Sequence, residues 1–257
     1  MNFKDHFSGH ADQYARFRPK YPDALFAYLA DQAPRRQLAW DCATGSGQAA
    51  TALAVHFNRV VATDASENQI KHATQHERVD YRVSPAEASD LDSCSLDLIT
   101  VAQAVHWFQH EAFYKEVRRC LRPNGVLAVW AYERMEISPE IDLILYDFYD
   151  NIVGPFWPPE REYVKSRYKT LPFDLPEIAA PPFFMNVNWS LPRLLGYLET
   201  WSAVQRYMEK HEVNPILSLN ASLLPFWGEP DTARLIRWPL ILKIGKLPGP
   251  QLRRATS

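Results

Sequence analysis

The chain has 257 residues, 47% of them apolar and 13% aromatic, which suffices for one large α/β domain with a sizeable core. Its formal net charge of −2 argues against nucleic acid or an anionic membrane surface as a partner. We expect no signal peptide and no membrane span, because no apolar h-region begins the chain and no window approaches about 18 uninterrupted apolar residues.

Between about residues 38 and 132, short apolar strands alternate with helical stretches. The predicted strands are LAWDCA, RVVATDA, VDYRVSPAE, LDLITVAQAVHWF and VLAVWAY. The predicted helices are QAATALAVHF, SENQIKHATQH with Ser66 as its N-cap, and HEAFYKEVRRCLRPNG, which a Pro-Asn-Gly stop ends. Strict alternation predicts a parallel sheet covered on both faces, and right-handed crossovers make it doubly wound.

The pattern changes after residue 133. Residues 134–182 are rich in proline and aromatic residues, which favours an inserted helical cap. A strand (FFMNVNWS), one long amphipathic helix (LPRLLGYLETWSAVQRYMEKH) and a closing strand (ARLIRWPLILKIGKL) follow. The prediction is one domain with a mostly parallel seven-stranded sheet. Its core spans about 34–132 and 183–247, its cap about 134–182 together with the N-terminal segment 1–30, and 248–257 form a disordered tail.

The loop after the first predicted strand decides between two ligands. GSGQAA at residues 45–50 fits GxGxxG/A, and Asp64 lies at the spacing of a dinucleotide fingerprint, so a nicotinamide-dependent oxidoreductase is one alternative. However, Asp41 ends the first strand, where a carboxylate disfavours a pyrophosphate and favours an ammonium group. The nearest downstream cation is Arg59, and no nicotinamide-binding half is evident. The loop therefore favours a cationic adenosine ligand without phosphates.

WDCATGSGQAA followed by VVATDAS resembles the first two motifs of class I S-adenosylmethionine (SAM) methyltransferases. The resemblance implies that Asp41 lies near the ammonium group of SAM and that Asp64 binds the ribose hydroxyls. It also implies that Ala43, Gly45 and Gly47 form the loop that passes under the methionine part of SAM. Ala65, which follows Asp64, is a further implied contact. Ala43 stands where glycine is usual in the family.

SPAEASDL resembles the segment of this family that contacts adenine, with Pro85 in place of the usual aspartate. We therefore expect the adenine contact to come from Ala86 or Glu87. YARFRPKYP, AQAVHWF, RCLRPNGVLAVWAY and YLETWSAVQRY together resemble the methyltransferase type 11-like group that includes trans-aconitate methyltransferase relatives. This resemblance runs from about residue 6 to 245.

The family resemblance implies methyl transfer from SAM to a small molecule, with S-adenosylhomocysteine as the other product. A carboxylic acid is the narrowest expectation for the acceptor. The alternative from another class is a non-catalytic protein of the same fold that binds a ligand or partner as a regulator.

His106 is the candidate catalytic residue. It follows the fourth predicted strand, at the edge of the sheet where ligands bind, and Gln103 precedes it as a candidate cofactor contact. Methyl transfer requires alignment and exclusion of water above all. A carboxylate acceptor needs no base whereas a hydroxyl or amine can, so His106 is either a base or a hydrogen-bond donor. Sealing of the sheet edge is the structural alternative.

Two further groups of residues are candidates for ligand contact. The resemblance implies that the N-terminal segment closes over SAM, with Tyr14 near its methyl or carboxylate and Arg18 paired with a carboxylate. A surface salt bridge is the alternative for Arg18. The predicted substrate-pocket residues, for which core packing is the alternative, are Trp107, Trp130, Tyr132, Trp157 and Trp201.

No metal site is predicted, because His72 and His76 are spaced for zinc but lack an evident third ligand. The expected partner is a small-molecule methyl acceptor, without nucleic acid or membrane. The three cysteines contain no CxxC pair, which is typical of a reduced, cytoplasmic protein. The oligomeric state is not indicated.

Overall fold

The structure is a computed structural model that describes residues 19–249. The predictions for Tyr14, Arg18 and the tail from residue 250 onward lie outside these residues.

The described residues form one sheet of seven strands in the order β3-β2-β1-β4-β5-β7-β6. The strands are β1 (Leu38–Cys42), β2 (Arg59–Asp64), β3 (Val79–Val83), β4 (Leu96–Ala102), β5 (Leu121–Tyr132), β6 (Phe184–Trp189) and β7 (Arg234–Lys246). The first five strands pair in parallel, and β6 pairs with β7 antiparallel. The predicted mostly parallel, doubly wound, seven-stranded sheet is confirmed.

The strand order reverses between β1 and β4, which are neighbours although β2 and β3 lie between them in the sequence. Asp41 of β1 stands opposite Thr100 of β4 in this pairing. Ligands of doubly wound sheets bind outside the carboxyl ends of the strands at such a reversal. The topology therefore directs attention to the loops after β1, β2 and β4.

The helices flank this sheet and build the later part of the chain. They are α1 (Asp23–Gln32), α2 (Gln48–Leu53), α3 (Glu67–His72), α4 (His110–Cys120), α5 (Pro139–Asp147), α6 (Arg161–Lys165), α7 (Leu191–Glu199), α8 (Ser202–His211) and α9 (Pro215–Trp227). Ser66 is the N-cap of α3, as predicted, and its hydroxyl accepts a hydrogen bond from the Gln69 backbone N–H at 3.3 Å. Because α3 ends at His72, His76 does not share its helix face.

The single long helix predicted over residues 191–211 is wrong, since the chain breaks there into α7 and α8. The Thr200 hydroxyl donates to the Tyr197 carbonyl at 2.6 Å at the end of α7. Trp201 then has extended backbone (φ −68°, ψ 132°) before α8 begins. The hydroxyl competes for a carbonyl of the last turn, which periodicity alone does not reveal.

Two other features differ from the sequence prediction. The Pro-Asn-Gly stop lies inside β5, where the pairing with β4 shifts register and Asn124 has φ +64°. It forms a bulge, not the end of α4. Helix α9 was not predicted, although Asn214 caps it, because it is apolar on both faces: Leu217 is 70% exposed while Leu219 is buried.

The described residues divide into two compact units. The first unit contains residues 23–131, 168–182 and 241–249, and the second contains 19–22, 132–167 and 183–240. Within residues 19–249, no helix has the length and apolar character needed to cross a membrane.

Candidate active site

Asp41 anchors the loop that follows β1. Its carboxylate accepts hydrogen bonds from the Thr44 hydroxyl at 2.6 Å and from the Thr100 hydroxyl at 2.7 Å. Burial raises the pKa of Asp41 from its ordinary value of 3.8 to about 6. The side chain therefore joins the loop to β4 and is largely ionised at neutral pH.

The loop has left-handed backbone at all three positions that the sequence implicated. Ala43, Gly45 and Gly47 have φ values of +55°, +55° and +79°. The methyl group of Ala43 costs about 1 kcal/mol in this conformation, which glycine adopts freely. At Gly47 a Cβ atom would lie 2.3 Å from the Tyr81 hydroxyl, so a larger residue there would have to displace the Tyr81 side chain.

Asp64 holds the loops after β1 and β2 together. One oxygen of its carboxylate accepts from the Gly45 backbone N–H and the other from the Ser66 backbone N–H, each at 2.9 Å. A carboxylate has about four lone-pair positions, so each of its oxygens can accept from more than one donor. Asp64 is buried, whereas its neighbour Ala65 is exposed.

The predicted adenine-contact segment lies after β3. Ala86 is buried, and Glu87 is partly exposed. One carboxylate oxygen of Glu87 accepts from the Gln109 backbone N–H at 2.9 Å. Glu87 therefore connects this segment to the residue before α4 and keeps a second oxygen for other contacts.

Gln103 begins the loop after β4 in a left-handed conformation, with φ +59°. Its backbone N–H donates to the Trp130 carbonyl at 2.8 Å. Its side-chain Nε2 is buried and has no hydrogen-bond partner within residues 19–249. Because an unsatisfied buried donor is costly, this amide is suited to an acceptor atom of a ligand.

His106 lies in a short 3-10 turn over Val105–Trp107 and is 5% exposed. Its Nδ1 is 3.2 Å from the hydroxyl of Tyr168, which is fully buried. The Trp107 ring packs beside it, with centroids 5.1 Å apart. The imidazole is thus held within the first unit, close to the carboxyl end of β4.

The five predicted pocket aromatics do not form one cluster within either unit. Trp107 and Trp130 belong to the first unit, where Trp130 is buried edge-on against Phe26 with ring centroids 6.2 Å apart. Tyr132, Trp157 and Trp201 belong to the second unit.

In the second unit, the rings of Trp157, Trp201 and Tyr149 form a triangle with centroids 5.1–5.7 Å apart. Arg161 stacks over Trp157 and donates to the Tyr149 hydroxyl at 3.1 Å. Tyr149, Trp157 and Arg161 also line a surface pocket.

Sequence reasoning missed several partners of the predicted residues. Thr44 and Thr100 fix Asp41, and a signal for them exists: Thr44 lies within the loop, and parallel pairing of β1 with β4 brings Thr100 beside Asp41. Tyr81 restricts the space at Gly47. Tyr168 is separated from His106 by 62 residues and carries no local signal.

Comparison with known proteins agrees with this geometry. The methyltransferase domain model matches residues 40–129, which contain all of the loops described above. A Dictyostelium discoideum protein classed with the methyltransferases is 34% identical over 233 residues, 89% of each chain. A Saccharomyces cerevisiae protein classed as SAM-dependent is 30% identical over 137 residues, covering 49% of this chain and 45% of its own.

A solved structure from Anaeromyxobacter dehalogenans, classed as a type II methyltransferase, is 42% identical. It superposes with a TM-score of 0.86 over 90% of this chain and 99% of its own. The chain therefore belongs to the class I SAM-dependent methyltransferases. It is a methyltransferase and not the oxidoreductase that the glycine loop alone allowed, while the trans-aconitate group within the family stays a prediction.

Proposed function

We propose that this chain binds SAM with the loops after β1, β2 and β4 and methylates a small molecule, with a carboxylic acid as the acceptor. The observation that carries the proposal is the left-handed loop over residues 43–47, which hydrogen bonds tie to the two carboxylates of Asp41 and Asp64. When bound, SAM supplies a methyl group on a sulfonium, an electrophile strong enough to react without a metal.

The charges of the loop fit this ligand. SAM carries an ammonium and a sulfonium cation, and Asp41 and Asp64 provide negative charge on the two sides of the loop. Asp41 is only 1% exposed and is bound by the Thr44 and Thr100 hydroxyls, so its proposed action on the ligand is through its charge and through the shape of the loop. A nearby cation also favours the ionised form of a carboxyl group whose pKa burial has raised.

The remaining contacts are assigned by hydrogen-bonding capacity. Asp64 is assigned to the ribose hydroxyls, because it is a buried carboxylate at the end of β2 and each of its oxygens can accept more than one hydrogen bond. The unsatisfied Nε2 of Gln103 donates to the carboxylate of the ligand. Ala86 and Glu87 contact the adenine. Tyr14 and Arg18 remain proposed contacts from the family resemblance.

The acceptor is proposed to be an anion because anionic oxygen requires no general base. The residues around it then have to hold the oxygen in line with the methyl group and keep water away. His106 is the proposed contact on the acceptor side. Trp107, Trp130, Tyr132, Trp157 and Trp201 are proposed to favour a planar acceptor, which aromatic side chains bind well.

Binding and transfer are tested separately. Thermal unfolding is measured with SAM, S-adenosylhomocysteine and NAD, where a ligand at 100 times its dissociation constant adds about 2.7 kcal/mol to stability. Stabilisation by the two adenosyl ligands and not by NAD is expected. Radiolabelled SAM is then incubated with a panel of small carboxylic acids and with their amides as controls.

Methyl ester formation from an acid and not from its amide supports the full proposal. Binding of SAM without methyl transfer to any acid would support the cofactor assignment and contradict the assignment of a carboxylic acid as the acceptor. Stabilisation by NAD alone would contradict both the cofactor assignment and the acceptor assignment.

A further inference from the structure

The contact between His106 and Tyr168 has a chemical consequence for the proposed reaction. Both side chains belong to the first unit, and both are buried. The Tyr168 hydroxyl oxygen lies 3.2 Å from Nδ1 of His106, within hydrogen-bond distance. A neutral imidazole has one nitrogen that donates and one that accepts, so the direction of this hydrogen bond is linked to which nitrogen carries the proton.

The backbone that delivers Tyr168 is strained. Arg167 and Tyr168 both have φ +57°, two successive non-glycine residues in the left-handed region. Side chains rarely adopt this conformation, and it persists only where the surrounding structure enforces it. The Tyr168 ring is fully buried, and its centroid lies 6.2 Å from that of the His106 ring. An unusual conformation is therefore maintained at the residue that contacts the candidate catalytic histidine.

We propose that Tyr168 is a positioning residue that donates its hydroxyl proton to Nδ1 of His106 and so keeps the imidazole proton on Nε2. A phenol is a stronger donor than acceptor, and the unprotonated nitrogen of a neutral imidazole is a strong acceptor, which sets the direction of the bond. His106 then acts at Nε2 as a hydrogen-bond donor and not as a base. Any hydrogen bond that Nε2 makes is then one in which its N–H group is the donor.

This assignment rests on the proposed function for its catalytic meaning and specifies the acceptor class. A donor at Nε2 can hold an oxygen that is already anionic, such as a carboxylate, in line for methyl transfer. It cannot remove a proton from a neutral hydroxyl or amine, because Nε2 has no lone pair to accept it. The His106–Tyr168 pair thus selects acceptors that arrive deprotonated.

The tautomer is measured directly by long-range ¹H–¹⁵N correlation spectra of the full chain with ¹⁵N-labelled histidine, at a pH where His106 is neutral. The signals of His106 are identified by their loss in His106→Gln. Wild type is expected to have an unprotonated, pyridine-like Nδ1 and a protonated, pyrrole-like Nε2. Tyr168→Phe is expected to give a mixture of tautomers.

Tyr114→Phe is the matched control. The Tyr114 hydroxyl also holds residues 168–182, by donating to the Pro172 carbonyl at 2.6 Å, but it has no contact with His106 among those described. The tautomer is expected to be unchanged in this variant. A protonated Nδ1 in wild type overturns the proposal even if Tyr168→Phe fails to fold, and so does a tautomer that Tyr168→Phe leaves unchanged.

A second readout tests the donor role once an acceptor is found. The glutamine side chain can donate at a position similar to Nε2 but cannot act as a base, so His106→Gln is expected to keep kcat within about tenfold of wild type. Loss of the donor in His106→Leu is expected to lower kcat by about 100-fold.

Equal losses in the two variants overturn the donor role. If wild type neither binds SAM nor methylates any acid, the proposed function fails, while the tautomer is still decided by the spectra.

Discussion

The Gly45 backbone N–H donates to the Asp64 carboxylate at 2.9 Å, so the acid at the end of β2 fixes the loop that follows β1. The two residues are 19 positions apart, a spacing that fits a dinucleotide fingerprint, whereas the family resemblance implies that this acid binds the ribose of SAM. Asp64 thus has a structural role in addition to the proposed contact with the cofactor. The two roles are separable by experiment.

Asp64→Ala is expected to weaken SAM binding by more than about 1 kcal/mol, because it removes charge-assisted hydrogen bonds to the ribose and releases Gly45. Isothermal titration calorimetry measures the change. Asp80→Ala is the control, since Asp80 pairs with Arg59 and Arg82 on β2 and β3. An S-adenosyl analogue without ribose hydroxyls should bind more weakly than SAM to wild type but equally to Asp64→Ala. If the analogue binds as much more weakly than SAM to Asp64→Ala as it does to wild type, the ribose contact of Asp64 is excluded.

Asp41→Asn is expected to change the pH dependence of stability. Burial raises the pKa of Asp41 to about 6 from 3.8, so between these pH values the folded state binds a proton that the unfolded state has released. Wild-type stability therefore falls as pH rises through this interval, by about 3 kcal/mol at about 1.4 kcal/mol per pH unit. Asparagine does not titrate, so the free energy of unfolding of the variant should rise by this amount relative to that of wild type between pH 3.8 and 6.

Urea unfolding at several pH values measures that gain. Asp80→Asn is a control of opposite sign, because its hydrogen bond with Arg82 lowers the pKa of Asp80. The stabilisation from ionised Asp80 is present above the unfolded pKa and is lost as pH falls. The free energy of unfolding of Asp80→Asn should therefore fall relative to that of wild type as pH rises. A difference between Asp41→Asn and wild type that is constant with pH would contradict the prediction.

The parallel sheet could be predicted from the sequence because the strands buried on both faces are short, mostly apolar runs that alternate with helical stretches, as in LAWDC and LDLITV. The acid-flanked loop was evident for a similar reason, since glycine and aspartate at fixed spacing act locally. Helix α9 was missed because exposed Leu217 obscures its periodicity. At the break the Thr200 hydroxyl bonds to the Tyr197 carbonyl, and a pattern of apolar residues does not reveal such a side-chain contact.

The candidate site could be predicted only where its parts are close in sequence or paired by the sheet. Asp41, Gly45 and Asp64, which the sequence singled out, lie in one hydrogen-bonded group of loops, and Thr100 beside Asp41 follows from the pairing of β1 with β4. The contact between Tyr168 and His106 joins residues 62 positions apart, so no local pattern predicts it. Tertiary packing decides such contacts.

Gly47→Ala is expected to destabilise the protein more than Gly45→Ala in the absence of ligand. Both positions have left-handed backbone, which costs a residue with a Cβ about 1 kcal/mol. At Gly45 the nearest atom to a new Cβ is 4.0 Å away, whereas at Gly47 the Tyr81 hydroxyl is 2.3 Å away. Thermal unfolding measures the loss in both variants: Gly45→Ala introduces backbone strain alone, whereas Gly47→Ala introduces backbone strain and a steric clash with Tyr81.

Removal of the clashing atom checks the cause of this difference. Gly47→Ala is expected to recover part of its loss in a Tyr81→Phe background, while Gly45→Ala should not. The hydrogen bond from Tyr81 to the Thr74 carbonyl is lost in that background, so each glycine variant is compared with Tyr81→Phe alone. Equal losses for the two glycine variants would mean that the loop moves away from Tyr81 at no cost.

Gln103→Met is expected to affect stability and binding in opposite directions. Methionine has a similar length and no polar hydrogen, so it removes the buried Nε2 that lacks a partner in the described part of the chain. Without ligand, the free energy of unfolding should be unchanged or higher, because an unsatisfied donor no longer opposes folding. SAM binding should weaken by about 1–3 kcal/mol, because the donor to the ligand carboxylate is lost.

Calorimetric titration and urea unfolding of the same preparation test both parts of this expectation. S-adenosyl analogues that lack the carboxylate serve as the matched ligands, since their affinity should be the same for wild type and Gln103→Met. A variant that loses stability and affinity together would indicate that the amide supports the loop after β4, where Gln103 already has left-handed backbone. Loss of affinity at unchanged stability places the amide on the cofactor.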